Sequence, residues 1–202
     1  MAVSHLLGYP RIGPNRELKK ACESYWAGKI SQKELQEVAS SVRILQWRLQ
    51  RTLGIDLIPS NNFSLYDHVL DTIVLLGAVP NRYSWSGNNV DLDTYFAMAR
   101  GKQSGKVDVV AMEMTKWFDT NYHYIVPEFT KNQTFKLSSD KPVNIESISW
   151  RVAFSLWDRP FIYRPFFSAS SLPAGVSGKN GNCSPNLNFL IECSPLVVLS
   201  YC

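Results

Sequence analysis

The hydrophobic positions of this chain recur at helical spacing in some stretches and form short continuous runs in others. The clearest helix is predicted to begin at Ser31, because Glu34 follows in the capping-box arrangement. Apolar residues then recur at steps of three or four until Gly54 ends the pattern: Leu35, Val38, Val42, Leu45, Leu49 and Leu53. This spacing predicts one apolar face that packs against a core.

The same reasoning predicts further helices and several strands. Helices are expected from about Asn15, from Phe63 to Leu76, and from Asp91 or Asp93 to Arg100. Short apolar runs predict strands at residues 4–9, 55–58 and 134–137. Strand, polar loop and helix in alternation are typical of an α/β protein.

Residues 113–128 combine polar groups of several kinds with large aromatic rings. The polar residues are Lys116, Asp119, Asn121 and His123, and the rings belong to Trp117, Phe118, Tyr122 and Tyr124. Buried strands are usually richer in Val, Ile and Leu, because each buried polar group needs a partner. The mixture therefore suits the wall of a pocket. The alternative is a half-exposed strand whose aromatic side chains pack inward.

Cations crowd the start of the first predicted helix, at Arg11, Arg16, Lys19 and Lys20. A helix N-terminus carries unpaired N–H groups and the positive end of the helix dipole, so cations are unfavourable there unless an anion binds. This junction is a candidate anion site. The alternative is a solvated basic surface.

A second candidate group follows the strand predicted at residues 55–58. Residues 60–62 with Tyr66, Asp67 and His68 lie where the loops of α/β folds contact ligands. Asp67 and His68 could form an acid–base pair. The alternative is that they cap the next helix and lie at the surface.

Composition narrows the class of protein. The chain has 202 residues, of which 45% are hydrophobic, so it can form a domain with a core. Its net charge of +4 is too small to indicate a nucleic-acid partner. No apolar run is long enough to span a membrane, and the first residues lack the pattern of a secretory signal. We therefore expect a cytoplasmic protein.

The cysteines and histidines do not predict a metal site. Cys183, Cys193 and Cys202 have no Cys-x-x-Cys spacing and no histidine nearby, and Cys22 stands alone in a helical pattern. The histidines, His5, His68 and His123, are scattered. We therefore expect the four cysteines to be ordinary thiols.

The character of the chain changes after Asn144. Charged residues become sparse in residues 145–202, no period of 2 or 3.6 is sustained, and residues 168–185 are rich in Ser, Gly and Asn. We predict a domain over residues 1–144 and an unrelated tail, disordered or poorly packed, over residues 145–202.

Several motifs follow one another in a recognisable order along residues 3–144. They are LGYPRIG at 7–13, RELK at 16–19, SYWAG at 24–28, IPSNNF and YDHVLD within 58–71, and EMTKWFDTNYHY at 113–124. Together they resemble the N-terminal part of the cobalamin-independent methionine synthases.

This resemblance implies a fold and a reaction. The fold is part of a (βα)8 TIM-type barrel, the N-terminal one of two, followed here by the irregular tail. The reaction moves a methyl group from 5-methyltetrahydropteroyltri-L-glutamate to L-homocysteine and uses no cobalamin. In the family, zinc held by a His, two Cys and a Glu of the C-terminal barrel binds the homocysteine sulfur, and a metal lowers the pKa of a thiol.

The resemblance also assigns site residues. It assigns to the folate polyglutamate site the residues Arg16, Glu17, Leu18, Lys19, Lys116 and Asn121. A polyglutamate tail is a string of carboxylates, which cations beside a helix N-terminus complement, so the resemblance favours the anion site over the solvated surface. It assigns no catalytic and no metal-binding residue, and no motif assigns a contact to Trp117 or the tyrosines near it.

Members of this family are several times longer than the matching segment. We therefore expect the N-terminal portion of a methyltransferase, inactive alone because the zinc ligands and the homocysteine site belong to the other half. One alternative is a non-catalytic module that binds folate or a partner. Another is a product of a retained intron or of an erroneous gene model, without function.

Overall fold

A computed structural model of the protein describes residues 3–6, 8–102, 108–142, 144–145 and 161–162. Its helices are α1 (Glu17–Trp26), α2 (Gln32–Thr52), α3 (His68–Leu75) and α4 (Leu92–Arg100), with a 3₁₀ turn at Asn81–Tyr83. Its strands are β1 (Ile58–Pro59), β2 (Met114–Lys116), β3 (His123–Ile125) and β4 (Phe161–Ile162). The chain divides into two compact units, Met1–Leu65 with Pro142–Arg164 (unit 1) and Tyr66–Lys141 with Pro165–Cys202 (unit 2).

Unit 1 is built from two helices and short parallel strands. Helices α1 and α2 pack on each other, and α2 also contacts β1. Strand β1 pairs in parallel with β4, and Leu57 forms a parallel bridge with His5. The strand predicted at residues 4–9 is therefore reduced to this bridge in the part described, which omits Leu7. The strand predicted at 55–58 is displaced by one to three residues.

The capping box of α2 is confirmed. The Ser31 hydroxyl accepts from the Glu34 N–H at 3.3 Å, and the Ser31 N–H donates to the Glu34 carboxylate at 2.6 Å. These bonds satisfy two of the groups that a helix N-terminus leaves unpaired. The helix ends at Thr52, close to the position that Gly54 predicts.

The predicted apolar face of α2 is correct only in its first half. Leu35 and Val42 are buried, but Leu45, Leu49 and Leu53 are 61%, 44% and 70% exposed. The buried side chains of the second half are Gln46, Trp47 and Gln50. Two of these have polar partners that sequence spacing does not show. The Trp47 indole donates to the Pro59 carbonyl at 3.2 Å, and the Gln46 amide donates to the Pro10 carbonyl at 2.7 Å.

Trp47 and Ile58 form a buried cluster in unit 1 together with Ile145. Ile145 is the first residue of the predicted tail, so the packing of unit 1 extends at least one residue past the predicted boundary. The rest of the tail lies outside the described residues, apart from Phe161 and Ile162 in β4.

Unit 2 contains α3, α4 and the β2–β3 hairpin. Helix α3 starts at His68 rather than at Phe63, because Asp67 has extended backbone angles and its carboxylate accepts from the Leu70 N–H at 3.0 Å. Capping by Asp67 is thereby confirmed. Helix α4 matches its prediction, since Asp91 caps it and Gly101 follows Arg100.

The strand predicted at residues 134–137 is absent from the described structure of unit 2. This segment instead binds the end of α3. The N–H groups of Lys136 and Ser138 donate to the carbonyls of Leu76 and Leu75 at 3.0 and 2.9 Å. Carbonyls that a helix terminus leaves unpaired are satisfied in this way.

The described residues thus form an α/β arrangement with one parallel and one antiparallel strand pair. No helix in the described part of the chain is long and apolar enough to cross a membrane.

Candidate functional site

The β2–β3 hairpin carries two of the predicted site residues. Lys116 ends β2 opposite His123, and Asn121 lies in the connecting loop of residues 117–122. The Trp117 N–H closes this loop on the Tyr122 carbonyl at 2.7 Å, and the Thr120 N–H donates to the Trp117 carbonyl at 3.1 Å. Both predicted residues are exposed. The hairpin therefore presents a cation and an amide to solvent within a few residues of each other.

The aromatic rings of the hairpin divide between core and surface. Trp117 packs edge to face with Tyr124, with ring centroids 5.3 Å apart, and with Phe118 at 5.4 Å. Tyr124 is buried, whereas Phe118 and Tyr122 are exposed. The exposed Phe118 and Tyr122 depart from the half-exposed-strand alternative, in which the aromatic side chains pack inward, and the pocket wall stays a prediction. Burial raises the pKa of the Tyr124 hydroxyl, with smaller contributions from the carboxylates of Glu113 and Asp67.

A buried carboxylate ties this hairpin to α3. Asp67 is 2% exposed, and beyond the Leu70 N–H it accepts from the Ile125 N–H at 3.2 Å and from the Tyr122 hydroxyl. Both of its oxygens are engaged. A buried carboxylate is tolerated when donors satisfy it in this way. The acid–base role considered for Asp67 and His68 therefore gains no support from the contacts of Asp67.

A second carboxylate of α3 joins two other segments of unit 2. Asp71 accepts from the Tyr95 hydroxyl of α4 at 2.8 Å and pairs with the Lys141 ammonium group. Tyr95 in turn accepts from the Tyr66 N–H at 3.2 Å. This network is half-buried and joins α3, α4 and the segment that contains Lys141.

The other predicted site residues lie at the start of α1, in unit 1. Arg16 is exposed and stands before the first turn in a left-handed conformation, with φ of 63°. Lys19 is exposed, and its ammonium group lies 3.7 Å from the Glu23 carboxylate. Leu18 is buried, and its N–H donates to the Ile12 carbonyl at 3.1 Å. The side chain and N–H of Leu18 are thus engaged within the fold.

Glu17 places a carboxylate at this helix N-terminus. Its oxygens accept from the Asn15 N–H at 3.0 Å and from the Asn15 amide at 3.2 Å. A hydrogen bond from its own N–H holds the pKa of Glu17 below its ordinary value, helped by Asn15 and by the charge of Lys20. The positive end of α1 therefore already has an anion of the chain itself beside it.

The predicted site residues fall into two groups. Arg16, Glu17, Leu18 and Lys19 are consecutive in unit 1, and Lys116 and Asn121 share the hairpin in unit 2. Sequence reasoning missed the contact of Tyr122 with Asp67 and that of Lys141 with Asp71. No local signal could have shown them, because the partners are 55 and 70 residues apart.

The residues described do not provide a zinc site. They include no group of three or more His, Cys, Asp or Glu side chains that could hold a metal ion. Cys22 is a buried free thiol whose pKa is raised by burial. Cys183, Cys193 and Cys202 lie outside the described residues.

The fold and hairpin thus define an α/β domain with an exposed polar hairpin, and comparison with known proteins identifies its family. Residues 3–163 match the model of the cobalamin-independent synthase family, N-terminal domain. The chain belongs to this family. The match runs past Asn144, so the resemblance reaches further than predicted, while the division into two domains there stays a prediction.

Relatives include three bacterial proteins, each named 5-methyltetrahydropteroyltriglutamate–homocysteine methyltransferase. The Flavobacterium johnsoniae protein is 64% identical over 68% of this chain and 18% of its own length. The Cytophaga hutchinsonii protein is 57% identical over 89% of the chain and 23% of its own length. The Nitrobacter winogradskyi protein is 46% identical over 95% of the chain and 26% of its own length. The chain therefore spans about a fifth to a quarter of the length of these relatives.

Proposed function

We propose that this chain is the N-terminal, folate-polyglutamate-binding portion of a methyltransferase. The whole protein would move a methyl group from 5-methyltetrahydropteroyltri-L-glutamate to L-homocysteine in methionine biosynthesis, in the cytoplasm. The observation that carries the proposal is the exposure of Lys116 and Asn121 on one short hairpin, in a chain of this family.

The chemistry of the ligand agrees with these residues. The glutamate tail is a series of carboxylates, and the ammonium group of Lys116 can form charge-assisted hydrogen bonds with one of them. Asn121 can donate from its amide to a second oxygen. In unit 1, Arg16 and Lys19 are exposed cations at the start of α1. The ion pair of Lys19 with Glu23 is exposed, and exposed pairs are weak, so the charge of Lys19 is available to a ligand.

The same proposal includes the fold of the whole domain. The parallel pairing of β1 with β4, and the parallel bridge between His5 and Leu57, are what neighbouring strands of a (βα)8 barrel would form. We propose that the described strands are part of such a barrel. On its own, the chain is expected to bind the folate tail without forming methionine.

Calorimetry with 5-methyltetrahydropteroyltriglutamate tests the binding. We expect saturable binding by the 202-residue chain, and about tenfold or greater loss of affinity in Lys116→Ala and in Lys19→Ala, because each removes a charge-assisted hydrogen bond.

Lys33→Ala is the matched control. Lys33 forms the same kind of i,i+4 pair with Glu37, at 4.0 Å, as Lys19 forms with Glu23, but it belongs to α2 and is not among the residues proposed for the site. The affinity of Lys33→Ala for the triglutamate folate should equal that of the unaltered chain. Absence of binding by the unaltered chain, or equal losses in all the lysine variants, would contradict the proposal.

A further inference from the structure

We infer that Asp67 is a positioning residue of the folate-tail site. From the start of α3 it would hold the β2–β3 hairpin in the orientation that presents Lys116 and Asn121. The inference rests on the proposed function and adds to it a residue that would act without touching the ligand.

The contacts of Asp67 bracket β3. Tyr122 immediately precedes the strand and donates its hydroxyl to one carboxylate oxygen, and Ile125 ends the strand and donates its N–H to the other. The Leu70 N–H of α3 shares that second oxygen, at 3.0 Å. One buried carboxylate therefore joins the first turn of α3 to both ends of β3.

The other capped helices show that capping alone does not require this arrangement. Ser31 of α2 and Asp91 of α4 are exposed, and their side chains bond to residues of their own helices, Glu34 and Thr94. A cap at the surface keeps its solvation, whereas a buried carboxylate loses it and must recover the loss from donors. The burial of Asp67 is accounted for by the two bonds that it makes to the hairpin.

The register of the hairpin connects this anchor to the proposed ligand contacts. Lys116 is paired opposite His123, next to Tyr122, and the Trp117 N–H donates to the Tyr122 carbonyl at 2.7 Å. Asn121 directly precedes Tyr122. A displacement of Tyr122 would therefore shift both Lys116 and Asn121.

Tyr122→Phe is the sharpest test, because it removes one hydroxyl from a side chain that is 42% exposed and leaves the cap of α3 intact. In calorimetry with the triglutamate folate, we expect affinity about tenfold lower than in the unaltered chain, the effect of losing a hydrogen bond to a charged group. Tyr83→Phe is the control, since its hydroxyl donates to the Val110 carbonyl at 2.8 Å instead. Unchanged affinity in Tyr122→Phe would overturn the inference and leave the proposed function standing.

Amide hydrogen exchange separates positioning from general destabilisation and needs no ligand. In Tyr122→Phe, the amides of Trp117 and Ile125 should exchange faster by about tenfold, because the anchor is weakened locally. The Tyr95 amide of α4, which donates to the Asp91 carbonyl at 3.0 Å, should keep its rate. Equal acceleration at all three amides, or none at Trp117 and Ile125, would overturn the inference. If the unaltered chain binds no folate, the proposed function fails, and the exchange result still decides whether Asp67 anchors the hairpin.

Discussion

Gly77 shows how a single position ties two segments of unit 2 together. It follows α3 with φ of 62°, a backbone conformation that residues other than glycine rarely adopt. A Cβ atom there would lie 2.7 Å from the Ser138 hydroxyl and 3.0 Å from the Lys136 carbonyl, in the segment that binds the end of α3. The glycine is therefore required both by its own backbone and by the close approach of its neighbours.

We expect Gly77→Ala to lower the free energy of unfolding by about 3 kcal/mol, from the left-handed conformation and the overpacking together. Gly54→Ala is the matched control, because Gly54 also follows a helix at positive φ, 79°, but has open space around it. Gly54→Ala should lower the free energy of unfolding by about 1 kcal/mol, because only the backbone conformation is unfavourable. Urea unfolding followed by fluorescence measures both. Equal costs would show that the close approach has no energetic effect.

Local signals predicted the helices better than their faces. The capping box of Ser31 and the cap of Asp91 place the starts of α2 and α4 correctly, because each cap bonds to an N–H only three residues away. The start of α3 was predicted too early. Phe63 continues the apolar pattern, but Asp67 has extended backbone angles and forms its cap there, and Ile125, far along the chain, holds the same carboxylate.

The two faces of α2 lead to a clear mutational contrast. Trp47→Ala should lower the free energy of unfolding by about 3–5 kcal/mol, because the ring is 2% exposed and its removal leaves a cavity beside Ile58 and Ile145. Leu45→Ala, two positions away and 61% exposed, should change it by less than about 0.5 kcal/mol. Urea unfolding of both variants makes the comparison. A large loss in Leu45→Ala would mean that this face is covered in solution.

Taken as a chain of 202 residues, the protein belongs to its family over more of its length than the motifs indicated. The family match reaches residue 163, and Ile145 is buried beside Trp47. The division into a domain and an unrelated tail after Asn144 stays a prediction, and Ile145, directly after it, packs in the core of unit 1.

The proposed activity can be tested on the same chain. With zinc, homocysteine and 5-methyltetrahydropteroyltriglutamate, we expect no methionine, because the resemblance assigns the zinc ligands to the C-terminal half of the family. Without a metal, the homocysteine thiol stays mostly protonated at neutral pH and is a poor nucleophile. The Flavobacterium johnsoniae relative serves as the positive control. Methionine formation by the purified chain would refute the expectation.

The sequence by itself determined the α/β class, two helix starts and the family, and it predicts folate contacts at Arg16 to Lys19, Lys116 and Asn121. These follow from signals that act within a few residues or from motifs that stand in a fixed order. The tertiary structure alone decided which face of α2 is buried and that Asp67 holds Tyr122 and Ile125. The physical reason is distance along the chain: a buried polar group is satisfied by whichever donors the packing brings to it, and spacing in the sequence carries no record of that choice.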